Sequence, residues 1–191
     1  MQPVLGNLRG EEIGLRKIPQ EVVATCSGAP QMMPHPAIPW IIDTQGCELP
    51  LPLFDIDTWR EHHWSVFSPY VADRTIARHG GGAAGRAYLE LLREYMAKQL
   101  SRGGRFMEAL AVPGGPGEIR PFVFGGDCAA TIARVVAEQV DGRWTARERV
   151  ADIARPQAGV DYEALMFEPG DAVVTRSSLL GRSRLNVAAP R

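Results

Sequence analysis

Tyr162-Glu163-Ala164-Leu165-Met166-Phe167 runs directly into Glu168-Pro169-Gly170-Asp171, so an apolar segment ends in a turn that carries a carboxylate. An acid just beyond an apolar segment sits where α/β enzymes keep their site residues. Pro-Gly-Asp is also ordinary turn chemistry, in which the aspartate bonds its own backbone. Taken alone, the stretch supports both readings. What separates them is the surrounding chain.

Upstream, Asp141-Gly142 suits a type I′ turn and predicts a hairpin of residues 131–140 and 143–150. Ile132, Val135, Val136 and Val140 also fit a helical stripe, so both forms stay open here. Pro121-Phe122-Val123-Phe124-Gly125 reads as a buried strand ended by glycine. Ala111-Val112-Pro113-Gly114-Gly115-Pro116-Gly117 breaks any regular element and reads as a loop between two lobes. Before it, Tyr88, Leu91, Leu92, Tyr95, Met96 and Leu100 recur at helical spacing while Arg86, Glu90, Arg93 and Lys98 face away. A helix over about residues 85–101 follows, with Gly103-Gly104 as its stop. Asp57 or Thr58 offers an N-cap, and Glu61 closes a capping box with Thr58, for a short helix over 59–66. Trp40-Ile41-Ile42-Asp43 is a short extended piece ending in the turn Thr44-Gln45-Gly46. The chain thus divides into a lead-in over 1–30 with the apolar run Glu21-Val22-Val23-Ala24-Thr25, a Pro-, Trp- and helix-rich part over 31–117, and a strand-rich part over 118–191.

The chain has 191 residues, enough for one good core or a core with a small added lobe. Hydrophobic residues at 45% and charged residues at 23% place it with ordinary folded proteins rather than disordered or fibrous ones. A net charge of -1 without basic clusters gives no reason to expect nucleic acid. No run reaches the ~18 apolar residues of a membrane span. The first residues, Met1-Gln2-Pro3-Val4-Leu5-Gly6-Asn7-Leu8-Arg9, lack a signal-peptide pattern, so a cytoplasmic location is the expectation. Cys26, Cys47 and Cys128 are far apart and read as reduced thiols rather than a zinc or disulfide framework. No metal or cofactor is called for.

Three motifs invite chemistry and have plainer readings. His79-Gly80-Gly81-Gly82 matches an oxyanion string of some esterases, but no strand feeds it, and it reads as a loop. His62-His63 are neighbours that would point about 100° apart on a helix, and no ligand-spaced partner accompanies them, so they read as an exposed or packing pair. Gly125-Gly126-Asp127-Cys128-Ala129-Ala130 has the setting of a nucleophile elbow, yet lacks its second glycine and a downstream histidine. A small buried thiol is the favoured reading of Cys128.

Pro169-Gly170-Asp171-Ala172-Val173-Val174-Thr175-Arg176-Ser177-Ser178 resembles the segment around the triad acid in α/β-hydrolases of the lecithin:cholesterol acyltransferase-like lipase family. Phe122-Val123-Phe124-Gly125-Gly126-Asp127-Cys128-Ala129-Ala130-Thr131 is similar to the strand-plus-glycine segment before that acid. Leu53-Phe54-Asp55-Ile56-Asp57-Thr58-Trp59-Arg60, with Trp64 and Phe67 beyond it, resembles the family's cap region, and Gln31-Met32-Met33-Pro34 a segment just upstream.

The resemblance implies an α/β class: an incomplete α/β-hydrolase fold, with a helical cap region over 31–117 and the late strands of the sheet in 118–191. It implies that Asp171 is the triad acid, that Trp59, Trp64 and Phe67 face substrate in the cap, and that the substrate is an acyl ester or lipid-like molecule. The family's order is Ser, then acid, then His. This chain has no G-x-S-x-G, and its histidines at 35, 62, 63 and 79 all precede Asp171. The expectation is therefore the C-terminal portion of a serine-type lipase or acyltransferase, inactive alone, with the N-terminal half of the hydrolase as partner. The alternative is a non-catalytic binding or interaction module derived from the fold. A cysteine hydrolase using Cys128 is a third reading.

Overall fold

The computed structural model describes residues 19–111, 124–140 and 142–179. In chain order its helices are α1 Gln20–Val23, α2 Ile56–Glu61, α3 Pro69–Arg78, α4 Gly82–Ala111, α5 Tyr162–Met166 and α6 Arg176–Leu179. Its strands are β1 Ile41–Ile42, β2 Ala129–Ile132, β3 Val135–Val140, β4 Arg143–Arg147 and β5 Phe167–Gly170. Helices combine with small sheets of mixed direction, an α/β composition. Among the described residues no helix is long and apolar enough to cross a membrane.

Contacts divide the described chain into two units. The first gathers residues 19–36, 51–107 and 139–146. Its longest element, α4, buries Leu89, Leu92, Met96, Leu100, Gly103 and Met107, a stripe at helical spacing. The expected stop at Gly103-Gly104 does not occur, and the helix runs on to Ala111. The physical reason is close approach: a Cβ on Gly103 would lie 2.6 Å from Pro30 Cβ and 3.1 Å from the Phe54 ring. Glycine there admits a neighbouring chain and does not end the helix. Leu91, placed on the apolar stripe by spacing, is 63% exposed, and Arg93 instead turns inward to donate to Val66 O from Nε and Nη2.

The short helix begins earlier than expected. Asp55 caps it by accepting from Asp57 N at 3.0 Å, so neither Asp57 nor Thr58 is the cap, and Thr58 is buried inside the helix. It ends at His62; a 3₁₀ turn, Ser65–Phe67, replaces its expected last residues. α3 was not anticipated, although Pro69 at its first position is a standard opening. Glu21 of α1, 6% exposed, is paired by Arg74 and Arg78 of α3, with Arg78 Nη1 at 3.0 Å.

The second unit gathers residues 37–50, 108–111, 124–138 and 147–179. β1 pairs in parallel with β3, Ile41 opposite Val135 and Ile42 opposite Val136. Ile42, Val136, Ile153, Tyr162 and Met166 form its core. The Tyr162 hydroxyl donates to Thr44 O and accepts from Gln157 N, so burying it leaves no unmet polar group. The turn after β1 is the expected one, held by Asp43 Oδ1 accepting from Gln45 N and Cys47 N, each at 2.8 Å.

β3 and β4 are adjacent in the sheet order β1-β3-β4 and are joined through Gly142 at φ 75°, which decides for the hairpin over the helical stripe. The first arm is shorter than expected, because Ala129–Ile132 leaves as β2 to pair antiparallel with β5. Residues 162–170 also differ from expectation. Asp161 caps α5 through Ala164 N at 3.1 Å, and β5 then occupies Phe167–Gly170, so the turn falls after Gly170. Of the strand expected over 121–125, residues 121–123 lie outside the described residues, and Phe124 and Gly125 are irregular. The loop expected over 111–117 lies outside them too, except Ala111, which closes α4.

Candidate functional site

β5 carries the chain to Gly170, and Asp171 opens the turn beyond it. Asp171 N donates to Val174 O at 3.2 Å, closing the turn. Asp171 Oδ1 in turn accepts from Val173 N at 2.9 Å and Val174 N at 2.7 Å. Ala172 between them has φ 74°, a left-handed conformation that costs a side-chain-bearing residue free energy. Its N–H donates to the hydroxyl of Thr131 on β2 at 2.9 Å. The Val174 and Val173 N–H groups hold the exposed Asp171 carboxyl below the usual range, so it is ionised at neutral pH. Among the described residues Oδ2 has no hydrogen-bond partner.

The surroundings are as local as the turn. A Cβ on Gly126 would sit 3.5 Å from Asp171 Cβ, and Arg176 pairs with Asp127 at 3.3 Å. Ser177 donates to Glu168, and Arg134 lies 4.0 Å from the same carboxylate. Cys128 is exposed, not the small buried thiol favoured by the sequence, and its Sγ lies 3.7 Å from Asp127 Oδ1. This unit contains no histidine, because His35, His62, His63 and His79 all belong to the other one. An imidazole for either Cys128 or Asp171 is therefore not supplied by their own unit.

In the first unit the aromatic trio expected in the cap is arranged as follows. Trp59 is half-buried and donates from Nε1 to Leu53 O at 2.7 Å. Trp64, 2% exposed, meets Trp59 edge to face at 5.9 Å. Phe67, 8% exposed, lies between the guanidiniums of Arg60 and Arg93, at 5.5 and 5.0 Å. Phe67 also lines a groove of about 510 Å³ with Arg60, His63, Pro69, Arg93 and Glu94. Trp59 and Trp64 do not line it.

The first unit's histidines at 62, 63 and 79 lie apart in their contacts. His62 donates from Nδ1 to Thr58 O at 2.8 Å and packs against Trp64 and Trp144. His63 is exposed at φ 53°. His79 stacks on Tyr88 at 3.5 Å, and Gly80 and Gly81 after it make a turn between α3 and α4, with Gly82 opening α4, so the turn is fed by a helix and not by a strand. Among the described residues no group of three His, Cys, Asp or Glu could hold a metal ion.

Thr131 is the site residue that sequence reasoning missed. A threonine in Ala129-Ala130-Thr131-Ile132 carries no motif, and its bearing on Asp171 exists only once β2 and β5 are in register. No protein-family model, curated protein or solved structure matches the chain.

Proposed function

We propose that this chain is the acid-bearing C-terminal portion of a serine-type lipase- or acyltransferase-like α/β-hydrolase that acts on acyl esters. The observation that carries the proposal is Asp171: an ionised, exposed carboxylate just past a strand, with one oxygen fixed by two backbone N–H groups and the other without a partner among the described residues. An aspartate that caps its own turn has these properties too, and it is the resemblance of residues 169–178 that favours the triad reading. A triad acid accepts the Nδ1 proton of a histidine, selects the tautomer whose Nε2 can take the serine proton, and stabilises the imidazolium that results. Serine and histidine come from other polypeptide sequence, since neither the G-x-S-x-G elbow nor a histidine after Asp171 occurs in these residues. Phe124 at 86% and Val173 at 82% exposure are large apolar side chains of the same unit that a partner would cover.

The test is complementation. The DNA flanking the coding segment is read for a G-x-S-x-G after a strand pattern upstream and a histidine downstream, and the joined polypeptide is labelled with a fluorophosphonate. Asp171→Ala should slow labelling by about 10⁴-fold, the cost of losing the acid of such a triad. Labelling at an unchanged rate would remove Asp171 from the triad. Flanks without either residue would favour a non-catalytic module.

A further inference from the structure

The Asp171 carboxylate is oriented by its own turn, and the turn is in turn held from the neighbouring strand. Thr131 is 1% exposed and lies in β2 opposite Glu168. Its hydroxyl donates to Ala129 O at 3.2 Å and accepts from Ala172 N at 2.9 Å, so both its donor and an acceptor site are in use. Gly170 makes this possible. A Cβ at that position would fall 2.5 Å from Thr131 Oγ1 and 2.9 Å from Thr131 Cβ, so the threonine occupies space that only glycine leaves. Ala172, gripped through its N–H, adopts φ 74°, and that left-handed step aims the next two N–H groups at Asp171 Oδ1.

We propose that Thr131 is a positioning residue for Asp171: its buried hydroxyl fixes Ala172 in the left-handed conformation and so sets the direction of the Asp171 carboxylate. The catalytic meaning of this rests on the triad reading; the structural coupling does not. Without the Thr131 bond, Ala172 loses the one side-chain contact from the neighbouring strand that offsets the cost of its left-handed conformation, and the turn relaxes. Val173 and Val174 then swing off Oδ1, and the carboxylate loses both its orientation and the two donors that favour its charged form.

The experiment uses the full chain and carboxyl NMR titration of Asp171. In the wild type Asp171 should titrate below the ordinary aspartate range, because Val174 N and Val173 N donate to its carboxylate. Thr131→Val, which keeps the shape and removes the hydroxyl, should move the titration up toward that range, and Thr131→Ser should restore it. An Asp171 titration in Thr131→Val identical to wild type overturns the proposal. Ala172→Gly gives the second arm, since glycine takes the left-handed conformation unaided. In the double variant Asp171 should titrate as in wild type, and if Thr131→Val alone fails to fold, adding Ala172→Gly should restore folding. A double variant that stays shifted or unfolded overturns the coupling.

In the joined enzyme Thr131→Val should slow fluorophosphonate labelling on the order of tenfold to a hundredfold, the scale of a small misplacement of a catalytic group. Thr131→Ser should label at the wild-type rate. If Asp171→Ala leaves labelling unchanged, the triad reading fails while the titration result stands. If Asp171→Ala abolishes labelling and Thr131→Val titrates as wild type, the positioning role alone fails.

Discussion

Glu138 and Asp171 are both carboxylates held by backbone N–H groups, but water reaches only one of them. Glu138 is 4% exposed, accepts from Ala154 N at 3.0 and 3.1 Å, and pairs with Arg147. Burial pushes its carboxyl up, but the Ala154 N–H and the Arg147 guanidinium outweigh that and hold it below the ordinary range. The folded state therefore binds fewer protons than the unfolded one. Glu138's contribution to stability is present above the unfolded glutamate pKa of about 4.3 and is lost as pH falls through the lower folded value. Urea unfolding between pH 3 and 7 should show that loss in the wild type. Glu138→Gln should flatten that part of the profile and cost about 3 kcal/mol at neutral pH, because Arg147 loses its charged partner. A variant as stable as wild type would show that the pair contributes nothing net. At this scale the sequence was informative only where local chemistry signals itself. Asp171 stood out as an acid just past an apolar segment and through the resemblance of residues 169–178, although the turn itself begins only after Gly170. Glu138 did not, since a single acid near the end of an expected hairpin arm carries no sign of burial, whereas residues 135–138 are all buried. Trp64 and Phe67 drew notice as aromatics, but residue type does not say whether a ring faces a ligand or the core.

Helix α4 shows how an element can mislead when only its own residues are read. A Gly-Gly pair at 103–104 is a fair stop signal, since each glycine costs a helix about 1 kcal/mol relative to alanine. The pair survives mid-helix because Pro30 and Phe54 press against it. Propensity and packing therefore oppose each other at Gly103, and the distances decide. Gly103→Ala gains about 1 kcal/mol of propensity but meets the Pro30 ring at 2.6 Å, an overlap a proline cannot sidestep. Overpacking of this kind costs about 1–3 kcal/mol. Thermal unfolding should show Gly103→Ala less stable than wild type. Gly104→Ala, whose Cβ would lie 3.3 Å from the side chain of Phe54, should be at least as stable as wild type. The opposite order would mean that Pro30 yields freely. The hairpin was legible from Asp141-Gly142, because a two-residue turn is local. The departure of β2 to pair with β5 was not, because the partner strand lies more than thirty residues on.

At the scale of the molecule, the two units share the chain by turns: it enters the second unit after residue 36, returns after 50, and changes side three more times by residue 147. Sequence punctuation divides the chain linearly near residues 30 and 117, where Gly and Pro cluster; long-range pairing leaves no such mark. A fragment of residues 1–111 keeps α4 but removes β3 from beside β1 and Trp144 from beside His62. It should lose the cooperative unfolding of the full chain, read by circular dichroism and tryptophan fluorescence in urea. A single transition at the full chain's midpoint would show that residues 19–111 stand alone. The parallel pairing of β1 with β3 also has a consequence in time. Ile41 and Val135 are ninety-four positions apart. At synthesis rates of roughly 5–20 residues per second, β1 leaves the ribosome about 5–20 s before its partner. α3 and α4, whose hydrogen bonds are local, can form in that interval. Ile41 and Ile42 must wait, so the nascent chain carries an unmatched apolar strand through much of its own translation.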